Sequence, residues 1–227
     1  LCLSVLFVAG PALAQELELP VLSPSATVSQ QVGTVTVSVD YSSPGKRGRE
    51  IFGALVPFDE LWRTGANQAT TLTLTGDATI GGKEVPEGTY SVFTIPGADS
   101  WTVILNTDPT ASTGRYEENK DQARFQVKSM TGEDRERLTF VFRDTDEDSS
   151  VLDLEWAGVR VPVSIDVDTK GRGDKAIELY VGRASRSLTD AARFKAEHGD
   201  VDGGLALVEK ALAVDDSWFV MWAQAEL

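Results

Sequence analysis

The sequence predicts an antiparallel β-sandwich, with a β-barrel as the alternative closure, followed by a small α-helical hairpin tail. Three observations predict it. Over residues 25–167 apolar and polar side chains alternate with period two, the mark of strands with one buried face. Short turn signals separate these runs, with no long helical segment between them. After Val167 the pattern changes to that of amphipathic helices.

Taken in order, the chain opens on Leu3, Val5, Leu6, Phe7 and Val8, an uncharged apolar run too short to span a bilayer. Ala12-Leu13-Ala14 follows with the small-residue spacing of a cleavage site, so residues 1–14 read as a secretory signal. Gln15 stands where a lipoprotein would need a Cys, and the product is expected to be exported and unanchored, periplasmic or extracellular. Residues 15–24 form an N-terminal extension and 25–168 the sandwich. Val35, Val37, Val39 and Tyr41 alternate with Thr36, Ser38 and Asp40 in the clearest strand. Leu72 and Leu74 repeat the rule, and Ile80 leads into Gly81-Gly82, a pair free to adopt the positive φ of a tight hairpin. Residues 90–95, 101–105, Phe125 with Val127, Leu138 with Phe140 and Phe142, 151–156 and 159–167 complete the strands. Pro162 lies inside the last of these and predicts an edge or bulged strand, because proline donates nothing to a ladder.

Residues 169–173 are polar and glycine-rich and read as a linker, with Asp174 as the N-cap of a helix carrying Ile177, Leu179, Tyr180 and Val181. Thr189 opens another helix, Gly203-Gly204 precedes Leu205, Leu207 and Val208, and Ser217 caps a last segment. Through Ala192, Gly199, Ala206, Ala211 and Leu212, residues 174–227 resemble a tetratricopeptide-type hairpin. A lone repeat does not bury its own apolar face, so this tail is expected to dock on the sandwich, pair with another copy, or continue beyond Leu227.

Composition removes several chemistries. The one Cys, Cys2, lies in the signal, so the mature chain is expected to lack disulfides, thiolate metal sites and thiol nucleophiles. The one His, His198, precedes Gly199 and reads as a polar residue at a helix C-terminus, which leaves Ser-His-Asp catalysis without a base. A net charge of -14 repels phosphate backbones and anionic lipid, so neither nucleic acid nor membrane insertion is expected. Asp144, Asp146 and Asp148 with Glu155 have the spacing of a calcium loop, but Ser149 replaces the glycine of its sharp bend. We read that run as an acidic hairpin tip and expect no metal and no cofactor.

Tyr41-Ser42-Ser43-Pro44, Gly48-Arg49-Glu50-Ile51-Phe52-Gly53, Trp62-Arg63-Thr64-Gly65-Ala66-Asn67, Gly88-Thr89-Tyr90-Ser91 and Trp101-Thr102-Val103-Ile104 together resemble the DUF2911 family of exported bacterial proteins. The resemblance spans roughly residues 23–167 and implies a β-rich exported domain without supplying a reaction. Gln68 stands where that pattern implies an acid and Ser43 where it implies a base.

The candidate ligand-binding residues are Arg49, Trp62, Arg63, Asn67 and Tyr90. Arg63 and Asn67 offer a planar fork of donors beside an amide, suited to a carboxylate, a sulfate or sugar hydroxyls, and Trp62 offers a stacking face. Arg49 belongs to Lys46-Arg47-Gly48-Arg49, the one basic cluster in an acidic chain. The competing structural assignment pairs Arg63 with an internal carboxylate, ties Asn67 to its own turn and buries Trp62. These residues predict a non-enzymatic binding or assembly module for a small anionic or carbohydrate ligand, with a protein partner on the helical tail. The alternative is a carboxylate-dependent hydrolase of cell-envelope or extracellular polysaccharide, in which Asp59 and Glu60 are the acids nearest the site.

Overall fold

The computed structural model describes residues 19–215 and 217–226; the expected signal, residues 1–14, lies outside them. The strands are β1 (Ser25–Val32), β2 (Val35–Ser42), β3 (Thr71–Leu74), β4 (Ala78–Ile80), β5 (Lys83–Val85), β6 (Gly88–Ile95), β7 (Ser100–Asn106), β8 (Asp121–Lys128), β9 (Met130–Thr131), β10 (Thr139–Arg143), β11 (Ser149–Trp156) and β12 (Val159–Asp166). All pair antiparallel, in two sheets ordered β1-β2-β3-β6-β7-β8 and β10-β11-β12-β4-β5, with β9 beside β12. The two sheets stay separate, so the architecture is the open sandwich and not the barrel.

Period-two alternation turns one face of each sheet inward. Val35, Val37 and Val39 of β2 are fully buried against a layer that includes Leu152, Leu154 and Trp156 of β11, and Tyr41 meets Phe140 edge-on at 4.9 Å. Each such aliphatic side chain contributes on the order of 1.5–3 kcal/mol. Gly81 and Gly82 form the expected two-residue hairpin between Ile80 and Lys83, at φ 55° and 75°. A Cβ at Gly81 would lie 2.2 Å from the Phe125 ring, so this turn also seats a core aromatic.

Pro162 corrects one expectation. β12 is an interior strand in unbroken register with β11, where Pro162 faces Asp153. Its other side pairs with β9 only at Val159 and Arg160 and with β4 only at Ile165 and Asp166. Pro162 occupies the gap between those pairings, where no ladder donor is required.

The helical part holds α1 (Thr169–Glu197), α2 (Val201–Leu212) and α3 (Trp218–Glu226). The expected linker 169–173 is the first turn of α1: Asp168, not Asp174, caps it by accepting from the Gly171 N–H at 2.9 Å, and the helix runs through Thr189 without a break. Residues 169–173 carry no apolar stripe to reveal a helix, and its second half is held by tertiary contact. Ala192 packs with Val208, Ala211 and Val220, and Gly204 lets α2 approach so closely that a Cβ there would lie 2.9 Å from the Ala192 carbonyl. His198 ends α1 as expected, its N–H bonding the Phe194 carbonyl. Among the described residues no helix is long and apolar enough to cross a membrane.

Candidate functional site

The connection between β2 and β3 carries most of the candidate residues, and it is braced on both sides of the first sheet. Trp62 exchanges backbone hydrogen bonds with Thr94 of β6, at 2.8 and 2.9 Å, so the segment runs along β6 as an added strand. Leu61 then packs outward on Phe93 and Ile104, while Trp62 packs inward. Trp62 stacks on Trp156 with ring centroids 6.1 Å apart and meets Phe52 and Trp101 edge-on. Its indole N–H donates to the Gly65 carbonyl at 3.1 Å. The ring therefore closes one end of the core and remains partly exposed.

After Trp62 the backbone departs from ordinary conformations. Thr64 is fully buried at φ 55°, a rare setting for a β-branched residue, and Asn67 follows at φ 54°. Thr64 is held there by hydrogen bonds from Thr70 Oγ1 to its carbonyl and between its hydroxyl and that of Thr94. A Cβ at Gly65 would stand 2.8 Å from Thr70 Oγ1, so the turn needs glycine. Of the six non-glycine residues with positive φ among the described residues, Arg47, Asp59, Thr64 and Asn67 lie in this one connection. Strain of this kind persists only where surrounding contacts over-determine it, and it concentrates at recognition sites.

Among the described residues the candidate cations are not paired with acids. Arg63 is half-buried and donates from Nη1 to the Asn67 carbonyl at 3.0 Å. Arg49 is exposed and folds back on its own turn, donating to the carbonyls of Gly45 at 2.7 Å and Lys46 at 3.1 Å. Asn67 donates from its amide to the Ser23 carbonyl at 3.1 Å. Arg47 donates to the Leu22 carbonyl at 2.6 Å, and Arg137 reaches the same oxygen at 3.5 Å and the Ser43 carbonyl at 2.9 Å. Among the described residues no carboxylate lies within 4.0 Å of the guanidinium of Arg47, Arg49, Arg63 or Arg137. The internal ion pair that would make Arg63 purely structural is thus missing from this part of the molecule.

Tyr90 stands apart from this group. It is 5% exposed on the core face of β6, and its hydroxyl donates to the Pro86 carbonyl at 2.8 Å. Burial, with the nearby charge of Asp77, raises its pKa above that of a free tyrosine. It is a core residue whose one polar atom is already bonded. Arg137 is the residue that sequence reading missed: it stands in the charge run Glu133-Asp134-Arg135-Glu136-Arg137, and only the bridge between Gly45 and Arg137 brings it to the β2–β3 connection.

Asp59 and Glu60 are both exposed. A cleft of about 430 Å³ lined by Asp77, Glu84, Asp166 and Asp168 lies toward the opposite end of β12 from the strand pair of Trp156 and Val159. There Asp77 accepts from the Glu87 N–H and Asp168 caps α1, so two of the four acids serve the backbone. Among the described residues no group of three His, Cys, Asp or Glu side chains is placed to hold a metal ion. Asp144 of the acidic tip pairs with Arg143. A second internal space, about 30 Å³ between the sheets and lined by Val39, Thr64 and Phe140 among others, is too small for an organic ligand.

A family model described as a protein of unknown function, DUF2911, matches residues 23–165. No curated protein and no solved structure matches the chain.

Proposed function

Because the chain belongs to the DUF2911 family, whose function is unknown, we propose from its own residues that it is an exported, non-enzymatic binding module for a small anionic or carbohydrate ligand. The export half rests on the apolar leader followed by Ala12-Leu13-Ala14. The binding half rests on one observation: among the described residues Arg49 and Arg63, in a chain of net charge -14, hold only backbone carbonyls, in a connection fixed by left-handed residues. Arg49, Arg63 and Asn67 supply directional donors, and the exposed part of Trp62 supplies an apolar flank. The tail is proposed to engage a protein partner through α1, where Ile177, Leu179 and Tyr180 are each more than half exposed.

Thermal-shift screening against small anions and neutral glycans tests the binding reading, with Arg63→Ala as control. A ligand at a hundred times its Kd stabilises by about 2.7 kcal/mol, which raises the Tm of a chain this size by roughly 5–10 °C. The variant is expected to lose most of that rise. A wild-type protein whose Tm no ligand raises would remove the small-ligand site.

A further inference from the structure

We infer that Arg47 and Arg137 together form an oxyanion site, continued by Asn67 and Arg63, and that the ligand carries a carboxylate, sulfate or phosphate group. This deepens the binding reading above and rests on it. The two guanidiniums come from different parts of the fold, one from the β2–β3 connection and one from the segment entering β10. Both reach a single neutral oxygen, the Leu22 carbonyl, at 2.6 and 3.5 Å. Two cations sharing one uncharged acceptor repel each other, and an oxyanion seated beside that acceptor offsets the repulsion.

Nearby acids are already committed. Glu136 Oε1 accepts from the Arg47 backbone N–H at 2.8 Å, and Asp134 pairs with Lys46 at 2.5 Å. Neither carboxylate lies within 4.0 Å of the two guanidiniums. Arg47 uses only Nη2 and Arg137 only Nη1 in hydrogen bonds among the described residues. Each guanidinium has five N–H donors, so both keep free edges, and both residues are exposed. Asn67 donates to the next carbonyl along, that of Ser23, which sets an amide beside the cation pair, and Arg63 follows on the Asn67 carbonyl. A neutral sugar gains little from two adjacent cations. An oxyanion gains charge-assisted hydrogen bonds from both.

The test uses the full chain at fixed ionic strength, with chloride as the reference anion. Sulfate, inorganic phosphate, an oligomeric uronate and a neutral oligosaccharide are titrated by calorimetry, which separates a free inorganic anion from one borne on carbohydrate. At least one oxyanion is expected to bind, with affinity falling about tenfold or more in both Arg47→Gln and Arg137→Gln. Far-UV circular dichroism checks the fold, and Arg47→Gln, which removes a single surface hydrogen bond, keeps the test open if Arg137→Gln misfolds. Oxyanion binding unchanged in Arg47→Gln and in a folded Arg137→Gln, but lost in Arg63→Ala, overturns the inference and leaves the binding reading standing. So does binding of the neutral oligosaccharide alone. No binding in any arm overturns both.

Discussion

On the outer face of β10, β11 and β12, Asp153 and Glu155 are 1% and 3% exposed beneath Arg135, Arg143 and Arg160. Around the β2–β3 connection, Arg47, Arg49, Arg63 and Arg137 hold nothing but carbonyls among the described residues. The same side chain serves both regions, and the difference lies in what the backbone places beside it. Register sets Arg160 opposite Glu155, and Arg143 two residue pairs along from Asp153 on the same face, so strand pairing itself delivers acids to guanidiniums. In the connection, turns at Arg47 and Asn67 direct donors toward neutral oxygen. Charge neutralised in the first group binds the sheet to itself, and the charge left over in the second is what the proposed ligand would use.

The largest expected effect tests the paired group. Arg160 reaches both buried acids, Glu155 at 2.7 Å and Asp153 at 3.4 Å, and Asp153 Oδ1 has no hydrogen-bond partner among the described residues. Arg160→Ala is expected to cost about 3–5 kcal/mol in urea unfolding, because it leaves buried carboxylates short of a counter-charge. A loss below about 1 kcal/mol would mean that the two groups do not differ as described.

Acid titration sharpens the same contrast at smaller scale. Burial pushes the Glu155 carboxyl upward, but hydrogen bonds from Arg135 and Arg160 outweigh it and hold the pKa below the ordinary glutamate value. A carboxyl depressed on folding stabilises fully above its unfolded pKa of about 4.3, and that contribution is lost as pH falls through the folded value. Wild-type stability is therefore expected to fall more steeply below about pH 4.3 than that of Glu155→Gln, whose amide does not titrate. Parallel stability curves for the two proteins in that window would refute the assignment.

Much of this arrangement was legible in the sequence, and what was not has a common cause. The alternation Leu152-Asp153-Leu154-Glu155-Trp156 assigns each residue to a face, and Gly81-Gly82 fixes its hairpin through φ alone; both signals are local. That the outward acids are buried is not local, since their cover includes arginines from β10 and from before it. Trp62 reads as a stacking face in the sequence, but its packing on Trp101 and Trp156 depends on strands far along the chain. Arg137 lies 94 residues from Ser43, whose carbonyl it holds, and no spacing announces that contact. Residues 169–173 misled for the opposite reason: glycines that suggest a linker are tolerated in a first helical turn once Asp168 caps it.

The smallest expected effect bears most directly on the unpaired group. Arg49 and Arg63 each donate to carbonyls at or near the surface, and hydration replaces such bonds at little net cost. Arg49→Ala and Arg63→Ala are each expected to change unfolding stability by no more than about 0.5 kcal/mol, against the several expected for Arg160→Ala. Their effect should fall instead on ligand-dependent stabilisation, where removing a charge-assisted donor weakens binding without loosening the fold. A loss of more than about 2 kcal/mol in unliganded Arg63→Ala would assign that guanidinium to holding the Asn67 turn, and the positive φ at Asn67 would then be explained by folding alone.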